Sequence, residues 1–156
     1  MIDLSKQSDQ VQKWMDDTIP RFLTEFPEQT PTSIGLYSSP VNGWVSLCVD
    51  VHTEPQSLRT SGPDFTHPEY ALLEFAEWQN EYESTSPIIK RHDSVIVRFN
   101  HSQGDEVFNQ PFFDFFMRVV NDYYHSQRVV FRPIWGGVQI LDSRCRSFGR
   151  IYQPEN

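Results

Sequence analysis

The sequence predicts an α+β fold: a mainly antiparallel sheet of about five strands, with helices packed on one face. Two observations point there. Two β-rich runs flank Asn42-Gly43, a pairing that closes as an antiparallel hairpin. Two long segments carry apolar residues at helical spacing, and the helical segments are grouped between hairpin-linked strands.

The first element is a helix over 8–26, SDQVQKWMDDTIPRFLTEF. Val11, Trp14, Met15, Ile19, Phe22, Leu23 and Phe26 form its stripe, and Ser8 is placed to cap it. Pro20 lies inside the pattern and predicts a kink or a split, because an interior proline costs about 3 kcal/mol. PEQTPTS is a linker. SIGLYSS, PVNG and WVSLCVDV then make the hairpin, and 55–68 is a long loop rich in Pro, Ser and Gly.

Residues 76–83 read as helix, while 69–75 fit either helix or strand. SVIVRFN (94–100) is a strand with Val95, Val97 and Phe99 on one face. Asn109 and Pro111 open an apolar helix with Phe112, Phe116, Val119 and Tyr123 in line, broadened by Phe113 and Val120. RVVFRPI and GVQILD suggest two last strands around Trp135-Gly136-Gly137, and the tail from Ser143 holds a small basic cluster.

A chain of 156 residues fits one domain, 1–156, with room for a sizeable core. Apolar residues make up only 38%, but 12 Phe, 6 Tyr and 4 Trp supply bulk that aliphatics otherwise would. No apolar run is long enough to span a bilayer, and MIDLSKQSDQ lacks the regions of a signal peptide. Cys48 and Cys145 lack metal-type spacing and read as free thiols, so the expected location is the cytoplasm.

Net charge is −8, unevenly placed. Residues 1–86 hold 14 acidic and 4 basic side chains, whereas 87–156 hold 7 and 9. Such acidity opposes nucleic-acid phosphate and favours a basic protein partner. Arg128, Arg132, Arg144, Arg146 and Arg150 occur without an RNA-binding aromatic motif. No nucleotide-binding, zincin, serine-hydrolase or calcium-loop motif occurs, and neither cofactor nor membrane partner is implied.

Three clusters carry candidate chemistry. In VSLCVDVHTE, strand alternation puts Val45, Leu47, Val49 and Val51 on the core face. Cys48, Asp50, His52 and Glu54 then share a solvent face, with Asp50 and His52 the candidate metal ligands. Cys48 and His52 lie roughly 13 Å apart along such a strand, too far for a nucleophile–base pair. His101 and Asp105 could act as base and orienter, although HSQGDE also fits a turn before a helix. Glu74, Glu77 and Glu81 form an acidic helical row with Glu83 nearby, the expected partner-binding surface.

GLYSS, GWVSLCVDVHTEP, EYALLEFAEWQNEYE and the phenylalanine-rich helix at 112–124, together with the N-terminal amphipathic helix, resemble a group of small bacterial α+β proteins. That group is related to the immunity proteins of polymorphic toxin systems. The resemblance implies a stoichiometric cytosolic inhibitor that occludes a basic toxin, and it brings no catalytic residues. A small metal-dependent or His/Asp hydrolase, and a structural subunit of a larger assembly, are the alternative expectations.

Overall fold

The computed structural model describes residues 1–52, 65–126 and 135–150, without the side chain of Arg150. In chain order the elements are β1 (Ile2–Asp3), α1 (Leu4–Glu25), β2 (Ser33–Ser39), β3 (Trp44–Asp50), β4 (His67–Glu74) and α2 (Ala76–Tyr82). They continue with β5 (Ile88–Arg91), β6 (Ser94–Arg98), α3 (Asp105–His125), β7 (Trp135–Ile140) and β8 (Arg146–Arg150). Single tight helical turns at Pro40–Asn42 and His101–Gln103 join neighbouring elements. The predicted α+β class holds, with the main sheet ordered β4-β3-β2-β7-β8. Its pairs are antiparallel except β2 with β7. A second sheet, β1-β5-β6, was not foreseen, because its first strand has two residues and its second four.

The hairpin forms where Asn42-Gly43 predicts it. Gly43 has φ +71°, and an added Cβ would stand 2.4 Å from the Phe75 carbonyl oxygen, so both conformation and space require glycine. α1 begins at Leu4, four residues before the expected cap. Asp3 caps it by accepting from the Ser5 N–H (3.2 Å) and the Ser5 hydroxyl (2.6 Å), while Ile2 and Leu4 are buried. The helix runs through Pro20 without a break, since packing of Met15, Ile19 and Phe22 outweighs one lost backbone bond. α3 likewise starts early, at Asp105, which leaves Pro111 inside it and Asn109 buried rather than capping.

Residues 69–74 belong to strand β4, and the helix follows from Ala76. Gly136 and Gly137 lie within β7 instead of a turn, and part of the basic tail forms β8. Of the residues expected on one face of β6, Val95 is 44% exposed while Phe99, just past the strand, is buried, and β6 is an outer strand of the small sheet. RVVFRPI and Glu54 lie outside the described residues.

One face of the main sheet packs on the helices. Ile34, Leu36, Val45, Leu47, Val138 and Ile140 form a single cluster with Val11, Met15 and Ile19 of α1 and Phe112, Phe116 and Val119 of α3. Trp78 of α2 joins it, stacked on Phe75 at 4.1 Å between ring centroids. No helix among the described residues is long and apolar enough to cross a membrane.

Candidate functional site

The opposite face of the main sheet collects the polar half of each strand's alternation. Strand register fixes its rows: Leu72, Ser46, Tyr37, Gln139 and Arg146 lie side by side, and Trp44 and Glu74 sit one row away. The sequence predicts a wet surface here, yet Ser46, Cys48 and Asp50 are all 0% exposed. The reason is a cover. The Phe65 and Phe148 rings, 5.3 Å apart, lie over Gly35, where an added Cβ would come within 2.5 Å of Phe148. Small residues in the strands let those rings approach the backbone.

Burial decides the chemistry of Cys48. Its thiol donates to the Pro68 carbonyl oxygen at 2.7 Å, and desolvation pushes its pKa up to about 12. It is a thiol, not a thiolate, at neutral pH, which removes the nucleophile reading. Asp50 serves as a clamp between the end of β3 and the start of β4. Its Oδ1 accepts from the Thr66 hydroxyl (2.7 Å), the Thr66 N–H (3.3 Å) and the His52 N–H (3.3 Å). The exposed His52 ring stands 3.8 Å from the same oxygen. Among the described residues, the neighbours that Asp50 and His52 acquire from the fold include two threonines, Thr66 at the Asp50 carboxylate and Thr32 at both backbone carbonyls. Among the described residues, no three His, Cys, Asp or Glu side chains gather into a metal-ligand set.

His101 and Asp105 are arranged around Tyr82 instead of each other. The Tyr82 hydroxyl donates to Asp105 at 2.7 Å, and that bond, with burial, pushes Tyr82 up to about 12. His101 sets its edge against the Tyr82 and Phe99 rings. Glu106 accepts from the Arg144 N–H (3.0 Å) and the Ser143 hydroxyl (2.9 Å). Burial alone would raise its pKa, but these bonds hold it below the usual carboxylate value. His125 caps the last turn of α3 through the Asn121 carbonyl oxygen.

The acidic row divides. Glu74 ends β4 and is exposed; on α2, Glu77 is exposed as well and Glu81 is half-buried. Glu77 accepts from Gln7 Nε2 (3.1 Å), and Gln7 Oε1 accepts from the buried Trp78 indole (2.7 Å). Glu81 takes the amino group of Met1 and the Ile88 N–H. Glu83 is exposed and accepts from Gln79.

What the sequence reading missed is the part of the polar face that the phenylalanines leave uncovered. Leu72 is 54% exposed on β4, an outer strand of the main sheet. Trp44 and Tyr37 meet edge to face at 5.6 Å and are each half-buried. Glu74 lies directly opposite Trp44 on β4, and Asp142 and Glu69 stand near enough to Tyr37 to raise its pKa after burial does. The strip continues into a hollow of about 390 Å³ bordered by Tyr37, Gln139, Asp142 and Arg144. The sequence carried no local signal for it, because strand register is what brings Leu72, Trp44 and Tyr37 onto one face.

No family model, no curated protein and no solved structure matches this chain.

Proposed function

We propose that this protein is a non-enzymatic binding module that holds a basic protein on the open part of its sheet face. The observation that carries the reading is the exposed Leu72, beside an edge-to-face Trp44–Tyr37 pair and bordered by Glu69, Glu74 and Asp142. Aromatic anchors with an apolar neighbour inside a charged rim are the composition of an interface centre. The acidic border steers a cationic partner, and the excess of 14 acidic over 4 basic side chains in residues 1–86 acts in the same direction. The immunity-type role belongs to this proposal: a cytosolic, stoichiometric inhibitor that covers the basic site of a toxin. Of the acidic row, Glu74, Glu77 and Glu83 are exposed and available to a partner, while Glu81 is half-buried and accepts from the Ile88 N–H.

Capture from lysate of the native host, with tagged wild type beside the Leu72→Asp/Glu74→Lys double variant, tests it. One basic protein retained in stoichiometric amount by the wild type and lost from the variant is the expected result. Equal retention by both proteins overturns the assignment of this surface.

A further inference from the structure

On the helical side lies a groove that shares no residue with the open-face strip. Its volume is about 300 Å³, and it is formed by the start of α1, the turn between β5 and β6, and the middle of α3. Leu4, Phe115 and Val119 supply an apolar floor, and Arg91 and Arg118 bring two guanidinium groups to its wall. Among the described residues, neither guanidinium has a carboxylate within 4 Å or a side-chain hydrogen bond. The neighbouring Lys90, by contrast, pairs with Asp3 at 3.7 Å.

The two arginines also oppose each other. Burial, and next the charge of Arg91, hold the Arg118 guanidinium below its usual pKa, against the opposite pull of Asp114 and Asp122. In a chain of net charge −8, two cations therefore line one small groove. The groove is also held in shape before any ligand arrives. His92, at φ +55°, donates its N–H to the Ser5 hydroxyl at 3.1 Å, which ties the hairpin turn to the first turn of α1. Asp9 and Asp122 line the groove as well, so its total charge is balanced while its cations remain unbridged.

We infer that this groove binds a small organic anion, a carboxylate or a phosphate monoester, with its charged end between Arg91 and Arg118 and its apolar body on Leu4, Phe115 and Val119. A guanidinium pair offers forked donors that match two oxygens of either anion. The volume is at the lower end for a small-molecule site, so the ligand is compact.

Titration of the full-length protein with phenyl phosphate, benzoate and benzylamine, followed by amide chemical shifts, tests the inference. Expected is saturable binding of phenyl phosphate, benzoate or both, with a dissociation constant of about 1 mM or tighter and shifts at Leu4, Phe115 and Val119. The tighter of the two identifies the anion class. Arg91→Gln or Arg118→Gln should weaken binding by about tenfold or more. If a glutamine variant does not fold, Arg91→Lys and Arg118→Lys keep the charge but lose the fork, and should still weaken binding. Binding of neither anion, anion binding unchanged in all these variants, or preference for benzylamine overturns the inference.

Discussion

The two faces of the main sheet are both closed at their centre, but by opposite means. On the helix side, branched aliphatic residues such as Ile34, Leu47 and Val138 meet large aromatic rings from α3. On the other side the strands contribute Ser33, Gly35, Ser46 and Gly137, and the bulk comes from Phe65 and Phe148 laid across them. The first face is a thick apolar layer whose stability scales with area removed from water. The second depends on backbone proximity and on hydrogen bonds such as those of Asp50. It also stops short: beyond the two rings, Leu72 is exposed and Trp44 and Tyr37 are half-buried. A polar alternation therefore signals small residues as readily as solvent.

Substitutions on each side sharpen the contrast. On the helix side Phe116→Ala should cost about 3–5 kcal/mol in urea unfolding, because it leaves a cavity beside the Trp78 and Phe115 rings. On the polar side Gly35→Ala adds one carbon and should cost about 1–3 kcal/mol. That loss should shrink when Phe148→Ala is present in the same chain, and additive losses would show that the rings do not sit as described. Asp50→Ala leaves the Thr66 hydroxyl and two N–H groups without their acceptor, and should cost about 1–3 kcal/mol.

The remaining tests separate closed from open parts of the polar face. Cys48 should resist alkylation at pH 8 until the chain is unfolded. Between the ordinary thiol range and about 12, the unfolded chain releases the Cys48 proton while the folded chain keeps it. Stability should thus fall as pH rises through that window, and fall less steeply in Cys48→Ala. Leu72→Ser should be the mildest change of all, within about 0.5 kcal/mol of wild type in urea unfolding. Yet it should weaken partner capture, which would mark Leu72 as a contact residue instead of a structural one.

Much of the architecture was legible in the chain itself. The stripes at Val11, Met15, Ile19 and Phe22 and at Phe112, Phe116, Val119 and Tyr123 are buried as periodicity demands. The hairpin forms at Asn42-Gly43, and the strand option for 69–74 followed by a short helix is the one realised. Element starts were less legible, because buried residues such as Leu4 and Phe108 extend helices past plausible caps. The candidate site was the least legible part. Glu77 and Glu81 look like a free acidic row until the fold brings Gln7, Ile88 and the amino terminus to them.

The sequence alone determined the α+β class, the helical stripes and the central hairpin, since these follow from spacing and turn chemistry within a few residues. Only the tertiary structure decided that Cys48 and Asp50 are buried, that Leu72 is exposed, and that Arg91 and Arg118 line one groove. Each of those outcomes depends on a residue far away in the chain: Phe148 over Gly35, Thr66 beside Asp50, or α3 beside the β5–β6 turn. Local propensity carries no information about such neighbours, because their positions are set by the packing of the whole fold.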